Sequence, residues 1–323
     1  PFALVLIPLF LSLFMAFTIL LVGPYLKFDF SSLIIFSASL AFSDYLRSYL
    51  LSGFPWNLWA YSTAWATEIL QSLNILGLHS YNLLLITLFT LPVIFFFKIK
   101  LIKKLAYLIL ITFVILGFFV FGSYEINKNK ILLRDVDEKI LVKIISPNFD
   151  LKYGLNEQQI KKRFEKLIKY SEPNKDKKTL FIWPEGIFSG YSYKEVLIFD
   201  KLISQNFSNK HKIIFGINKL DHKTENFYNS MLVVDHNFKI IQRYDKRKLV
   251  PFGEFLPLEK YFNHFGLKKI TEGYGSFTKG SKKNNLLIEK LNILPLICYE
   301  VIFTDLIQKS NVDTNLIENI SED

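Results

Sequence analysis

Residues 104–122 read KLAYLILITFVILGFFVFG, and residues 138–146 read EKILVKIIS. The first stretch carries a single charge, at its leading end, and a helix of roughly 20 such residues spans a hydrocarbon core. The second opens a series of short β-branched runs with charges between them, the pattern of strands in a water-soluble sheet. Between the two the chain changes solvent.

Toward the N-terminus the same apolar character recurs at about 1–22, 32–52 and 78–97, so four spans are expected within 1–122. Residues 1–122 hold six Lys/Arg and three Asp/Glu, whereas 123–323 hold 33 and 26. The mean hydropathy of +0.25 and the 32 Phe are thereby explained by a front third that belongs in lipid. This excludes a disordered chain, a disulfide scaffold and a purely soluble enzyme. The first run is too long for a signal-peptide core and lacks a basic leader and a small-residue cleavage site. One cysteine, Cys298, excludes an internal disulfide and a multi-cysteine metal site. The net charge of +10 suits anionic lipid head groups; with lysine scattered through a Lys/Ile/Asn-rich chain, nucleic acid is not expected as a partner.

Lys98, Lys100, Lys103 and Lys104 occupy the connection between the third and fourth spans, which is therefore expected on the cytoplasmic side. The 53–77 loop contains Glu68 and no Lys or Arg, so it is expected outside, and with it everything from residue 123 onward. Asp44 and Arg47, three apart in the second span, read as a mutual ion pair. Gly53-Phe54-Pro55-Trp56 ends that span, and Trp56, Trp59 and Trp65 suit an interfacial belt and a surface-lying stretch to about residue 76.

In the polar part, strands are expected at Ile140–Ser146, Thr179–Trp183, Lys212–Ile217, Ser230–Val234, Phe238–Tyr244, Leu286–Ile288 and Ile293–Cys298. Helical spacing marks Asn156–Tyr170 and Tyr193–Gln205. The alternation indicates an α/β layered domain. A Gly-containing loop, Gly266–Lys283, is a candidate lid.

Three chemically capable residues fall at or just beyond strand ends, where α/β sheets place their sites. Glu185, in Trp183-Pro184-Glu185, is a carboxylate delivered by an apolar strand and suits a general base with raised pKa, or a surface residue. Lys246 heads Lys246-Arg247-Lys248, a solvated turn or an oxyanion donor, and Leu249-Val250-Pro251-Phe252-Gly253-Glu254 follows as a tight loop able to aim Glu254 back. Cys298, in Ile297-Cys298-Tyr299-Glu300, is a buried thiol or a nucleophile activated by those neighbours. The five histidines show neither a Cys/His pairing nor a metal-ligand spacing, and no cofactor is implied.

Glu185, Lys246 (61 residues later) and Cys298 (52 later), each in its own local motif, resemble the Glu-Lys-Cys constellation of the carbon–nitrogen hydrolase (nitrilase) superfamily. With a multi-span region in front, and with Gly53-Phe54-Pro55-Trp56 and Tyr228-Asn229-Ser230 beside those motifs, the chain resembles the apolipoprotein N-acyltransferase family across nearly its whole length. That resemblance implies a helical membrane domain (1–122) followed by an extracytoplasmic α-β-β-α sandwich of nitrilase type (123–323), truncated at its C-terminal end. Glu322 stands where the family commonly has Asn, and the chain reads as a fragment lacking both family termini.

The resemblance also implies a function. An acyl chain would pass from a membrane phospholipid to the N-terminal amine of a diacylglyceryl-modified apolipoprotein, on the periplasmic side of a bacterial inner membrane. Cys298 would form the thioester, Glu185 would act as base and Lys246 would hold the oxyanion. Glu254 and Glu300 would orient the lysine and the amine, with Asn229, Tyr299 and Tyr153 in support. Two other readings use the same residues: a membrane-tethered amidase with water as acceptor, and a non-enzymatic lipid- or lipoprotein-binding membrane protein.

Overall fold

The computed structural model describes residues 2–27, 29–50, 53–132, 140–150, 152, 154–221, 224–251, 253–255, 276–281, 285–308 and 313–322. The chain divides into two compact units, Pro1–Asp137 and Glu138–Asp323.

The first unit is helical: α1 (Phe2–Val22), α2 (Phe30–Tyr49), the short α3 (Thr67–Leu70) and α4 (Leu73–Leu76), α5 (Leu78–Thr90) and α6 (Leu101–Leu132). A helix thus forms at each place where a span is expected, and α6 runs ten residues past Gly122. Three stretches, Pro8–Tyr25, Leu78–Phe96 and Leu101–Ile131, are long and apolar enough to cross a membrane. Helix α2 is more polar, carrying serines together with Asp44 and Arg47 on its buried side. Asp29 caps it by accepting the Ser32 N–H at 2.8 Å.

The Asp44–Arg47 pair forms at 2.8 Å and is buried. Asn82 of α5 donates to the second Asp44 oxygen at 3.0 Å and accepts the Ala60 N–H at 3.0 Å. The pair therefore binds α2, α5 and the loop after Gly53 together, and its polar atoms are met inside protein rather than left facing hydrocarbon. Trp56, Trp59 and Trp65 stay exposed.

The second unit is layered. β1 (Leu141–Ile144), β2 (Thr179–Ile182) and β3 (His211–Asp221) run parallel, and β4 (Asn226–Val234) and β5 (Ile240–Asp245) continue antiparallel in the order β1-β2-β3-β4-β5. A second sheet, β6-β7-β8, pairs β7 (Leu291–Ile297) antiparallel to β6 (Leu286–Ile288) and parallel to β8 (Leu316–Ile320).

Period-2 alternation splits the apolar residues of the first sheet between two cores. Phe181, Trp183, Ile213, Phe215, Leu232 and Val234 face α7 (Glu157–Ser171) and its neighbours, α8 (Tyr193–Val196) and α9 (Asp200–Asn206). Leu180, Ile182, Ile214, Met231 and Val233 face Leu286, Ile293, Ile297 and Ile320 of the second sheet. The result is helix on sheet on sheet, three of the four layers of the expected sandwich. Among the described residues, α10 (Thr304–Gln308) is the one α-helix after β5.

Asn156 starts α7 with a reciprocal capping box to Gln159, and Ile160, Phe164, Leu167 and Ile168 form its buried stripe. The continuous helix expected over Tyr193–Gln205 is instead α8 and α9 joined by a 3₁₀ turn at Leu197–Phe199. That tighter turn aligns residues three apart and lets Val196, Phe199 and Ile203 all bury. Strand β8 was not expected: Glu318 and Asn319 break up its apolar character.

Candidate active site

Glu185 sits just beyond β2. The Trp183 N–H still donates to the Ile214 carbonyl at 2.8 Å, as if the strand continued; Pro184 then ends the pairing. The Glu185 N–H donates to the Ser321 carbonyl at 3.1 Å, fastening the turn to the end of β8. A Cβ on Gly216 would lie 2.8 Å from the Glu185 Cα, so the neighbouring strand carries glycine where the base approaches.

Lys246 follows β5. Its N–H donates to the Asn229 carbonyl at 2.9 Å and its own carbonyl accepts the Gly280 N–H at 2.8 Å, so the backbone is held from both sides. The side chain is 2% exposed. Its Nζ lies 2.8 Å from Glu254 Oε1 and 3.8 Å from Glu185 Oε1. Asn229 bridges the two carboxylates, donating from one Nδ2 to Glu185 Oε1 at 2.7 Å and Glu254 Oε1 at 2.9 Å. Glu254 is aimed back by its own tight loop: its second oxygen accepts the Val250 N–H at 2.9 Å and its N–H donates to the Val250 carbonyl at 2.8 Å.

Cys298 ends β7 and begins a 3₁₀ turn, Cys298–Ile302, with φ of +52°, a left-handed conformation uncommon for a side-chain-bearing residue. Backbone held in such a sparsely populated region clusters at functional sites. Glu300, fully buried, secures that turn. One oxygen accepts the Arg247 and Lys248 N–H groups at 2.7 and 3.0 Å, the other accepts the Ile297 N–H at 3.0 Å, and Tyr244 donates to both at 2.9 Å. Its oxygens thus tie the lysine loop to the cysteine turn. Tyr299 is buried and packs edge-on against Phe303 with ring centroids 5.0 Å apart.

The electrostatics are those of a shared charge cluster. Burial pushes the Glu185 carboxyl up, against the pull of Lys246 and Asn229. Burial opposes the Lys246 charge, but Glu185 and Glu254 together hold its pKa above the ordinary value. Burial, then Glu185, pushes the Cys298 thiol up to about 11, with Lys246 pulling the other way. The Cys298 thiol feels both Glu185 and Lys246, and the Lys246 ammonium feels both Glu185 and Cys298. Glu185 Oε2 is buried and takes no hydrogen bond.

Tyr153 lies outside the described residues, as does most of the lid candidate; of the latter, Phe277 donates its N–H to the Glu254 carbonyl at 2.8 Å. One residue beside the site, Arg163, escaped sequence reasoning, although it was legible as a charge inside the buried stripe of α7. Glu322 was marked only as a departure from the family's Asn, without a role, because β8 itself was not recognised. Both line a pocket beside Glu185, with Phe149, Asp150, Gly186 and Ile187.

Residues 153–315, half of the chain and inclusive of Glu185, Lys246 and Cys298, match the family described as Carbon-nitrogen hydrolase. The chain belongs to that family. Residues 1–91 match the Apolipoprotein N-acyltransferase N-terminal domain. Over its whole length the chain is similar to the apolipoprotein N-acyltransferases of Brucella melitensis biotype 1 (25% identity over 332 residues, 62% of that protein) and Rhodopseudomonas palustris (27% over 337, 62%). The same holds for that of Rickettsia typhi (28% over 331 residues, 64%). The chain therefore spans a little under two thirds of the length of the curated relatives it matches.

Proposed function

We propose that this chain carries the catalytic machinery of a phospholipid-dependent apolipoprotein N-acyltransferase working through a Cys298 thioester. The observation that carries the reading is the Glu185–Lys246–Glu254 cluster, buried around the cysteine turn, in a chain whose other unit is built of membrane-length apolar helices.

In the first half-reaction Glu185 takes the Cys298 proton as sulfur attacks the acyl ester carbon of a membrane phospholipid. The tetrahedral oxyanion is stabilised by the Lys246 ammonium, and collapse breaks the C–O bond, with Glu185 returning the proton to the departing lysophospholipid alkoxide. In the second half-reaction the N-terminal amine of diacylglyceryl-cysteine attacks the thioester. A C–N bond forms, the C–S bond breaks, and a proton from nitrogen reaches sulfur by way of Glu185. Glu254 and Asn229 hold Lys246 and Glu185 in place throughout. The bacterial inner membrane, with the catalytic unit on its periplasmic side, is the location consistent with the lysine-rich 98–104 connection.

The test is intact-mass measurement of the chain and its Cys298→Ala and Lys246→Met variants after incubation with phospholipid in detergent micelles. An acyl adduct released by neutral hydroxylamine is expected for the parent and absent in Cys298→Ala. For Lys246→Met its formation should slow by at least about 10³-fold. Adduct on Cys298→Ala would overturn the thioester. Turnover of a soluble amide without any adduct from phospholipid would favour an amidase.

A further inference from the structure

Beside Glu185, the pocket between α7, the Glu185-Gly186-Ile187 turn and Glu322 is a small solvent-open cleft of about 40 Å³, room for an ammonium-sized group. Its inner wall is Glu185, whose Oε2 is buried without a partner. At its mouth stands Glu322, exposed, with its carboxyl so near Gly186 that a Cβ there would lie 2.6 Å from Oε1.

The cations nearby are engaged. Arg163 donates to the Ile187 and Asp150 carbonyls at 2.8 and 2.6 Å and lies over the Phe149 ring at 4.6 Å. Lys246 is taken by Glu254. Asp150 pairs outward with Lys152 at 3.2 Å. Burial pushes both pocket carboxyls, Glu185 and Glu322, above their ordinary values, the condition an arriving cation relieves. Arg163, the cation in the pocket's lining, spends its donors on carbonyls, so Glu185 Oε2 is left without an N–H donor.

We propose that Glu322 is a specificity-determining residue for the acyl acceptor, its carboxylate at the mouth and Glu185 Oε2 within holding a primary ammonium between them. This rests on the acyltransferase reading and assigns the two protons that the acceptor must lose. An ammonium, R–NH₃⁺, gives its first proton to Glu322, which passes it to solvent at the mouth, and becomes the nucleophilic amine. After attack, the second proton passes through Glu185 to the Cys298 sulfur as the C–S bond breaks. A single carboxylate would have to perform both transfers.

The experiment acylates the full chain with phospholipid in micelles, isolates the acyl-enzyme, and chases it with either a diacylglyceryl-cysteinyl peptide or β-mercaptoethanol. The parent, Glu322→Gln and Glu322→Asp are compared. For Glu322→Gln the ratio of amine to thiol chase rates is expected to fall about tenfold, as for loss of one charge-assisted hydrogen bond. Glu322→Asp should restore most of it. The deficit should shrink above roughly pH 9, where an α-amino group arrives uncharged. An unchanged ratio in Glu322→Gln, or a deficit independent of pH, overturns the inference while leaving the acyltransferase reading intact. Failure of the parent to form an acyl-enzyme defeats that reading, and the acceptor assignment with it.

Discussion

Lys246 keeps a charge that burial alone would remove. At 2% exposure its ammonium persists because Glu254 at 2.8 Å and Glu185 at 3.8 Å replace the lost hydration. Burial first, and Glu185 after it, keep the Cys298 thiol protonated at rest: a thiol pushed up to about 11 is not a thiolate near neutrality, so a thiol nucleophile here depends on a base at the moment of attack. In the proposed mechanism that base is Glu185, whose pKa lies above the ordinary carboxylate value. The sign follows directly. As pH falls through the raised Glu185 pKa the base is protonated and acylation slows, so the acidic limb of the pH–rate profile lies above the usual carboxylate range. Asn229 favours the charged form through its 2.7 Å hydrogen bond. In Asn229→Ala the limb should move to higher pH in single-turnover acylation; a limb that stays put or moves down would contradict the assignment of Glu185 as base. These residues were legible in sequence because each follows an apolar run that reads as a strand. Their mutual distances were not, since 61 and 52 residues separate them along the chain.

At the scale of elements, the site is made by loops tied to strand ends. Glu300 is the knot, fully buried and accepting three backbone N–H groups and the Tyr244 hydroxyl. Glu300→Gln turns one acceptor into a donor facing donors, so a loss of about 2–4 kcal/mol is expected. Thermal unfolding should start several degrees lower, and Cys298 acylation should fall in the same variant; a melting temperature within a degree of the parent would show that the clamp is dispensable. The family resemblance implied that Glu254 and Glu300 orient the lysine and the incoming amine. Only the fold reveals that the oxygens of Glu300 tie the lysine loop to the cysteine turn. β8 is the converse case: a polar-looking segment, made a strand by the register that β7 imposes on it. Its far end supplies the Ser321 carbonyl to Glu185 and brings Glu322 to the pocket.

For the whole molecule, the governing fact is two solvents in one chain. The first unit hides its charged pair, Asp44–Arg47, inside protein and satisfies it through Asn82; the second separates its two cores by strand alternation. The proposed orientation rests on Lys98, Lys100, Lys103 and Lys104. With Cys298→Ser as background, Lys161→Cys on the exposed face of α7 gives one reactive thiol in the second unit; Lys161 is 54% exposed. A membrane-impermeant maleimide should label it in intact spheroplasts, whereas labelling only after lysis would reverse the topology.

Composition and periodicity by themselves determined that the front of the chain is apolar helix and the rest α/β, because burial in lipid and in a sheet leave different repeats in the order of residues. They also marked Glu185, Lys246 and Cys298 as strand-end residues. Tertiary structure alone decided that Asn229 bridges two carboxylates, that Glu300 is a clamp and that Glu322 lines the pocket beside Glu185. Hydrogen bonds between residues far apart in the chain leave no local pattern, since each is formed only when separate strand ends are brought to one edge of the sheets.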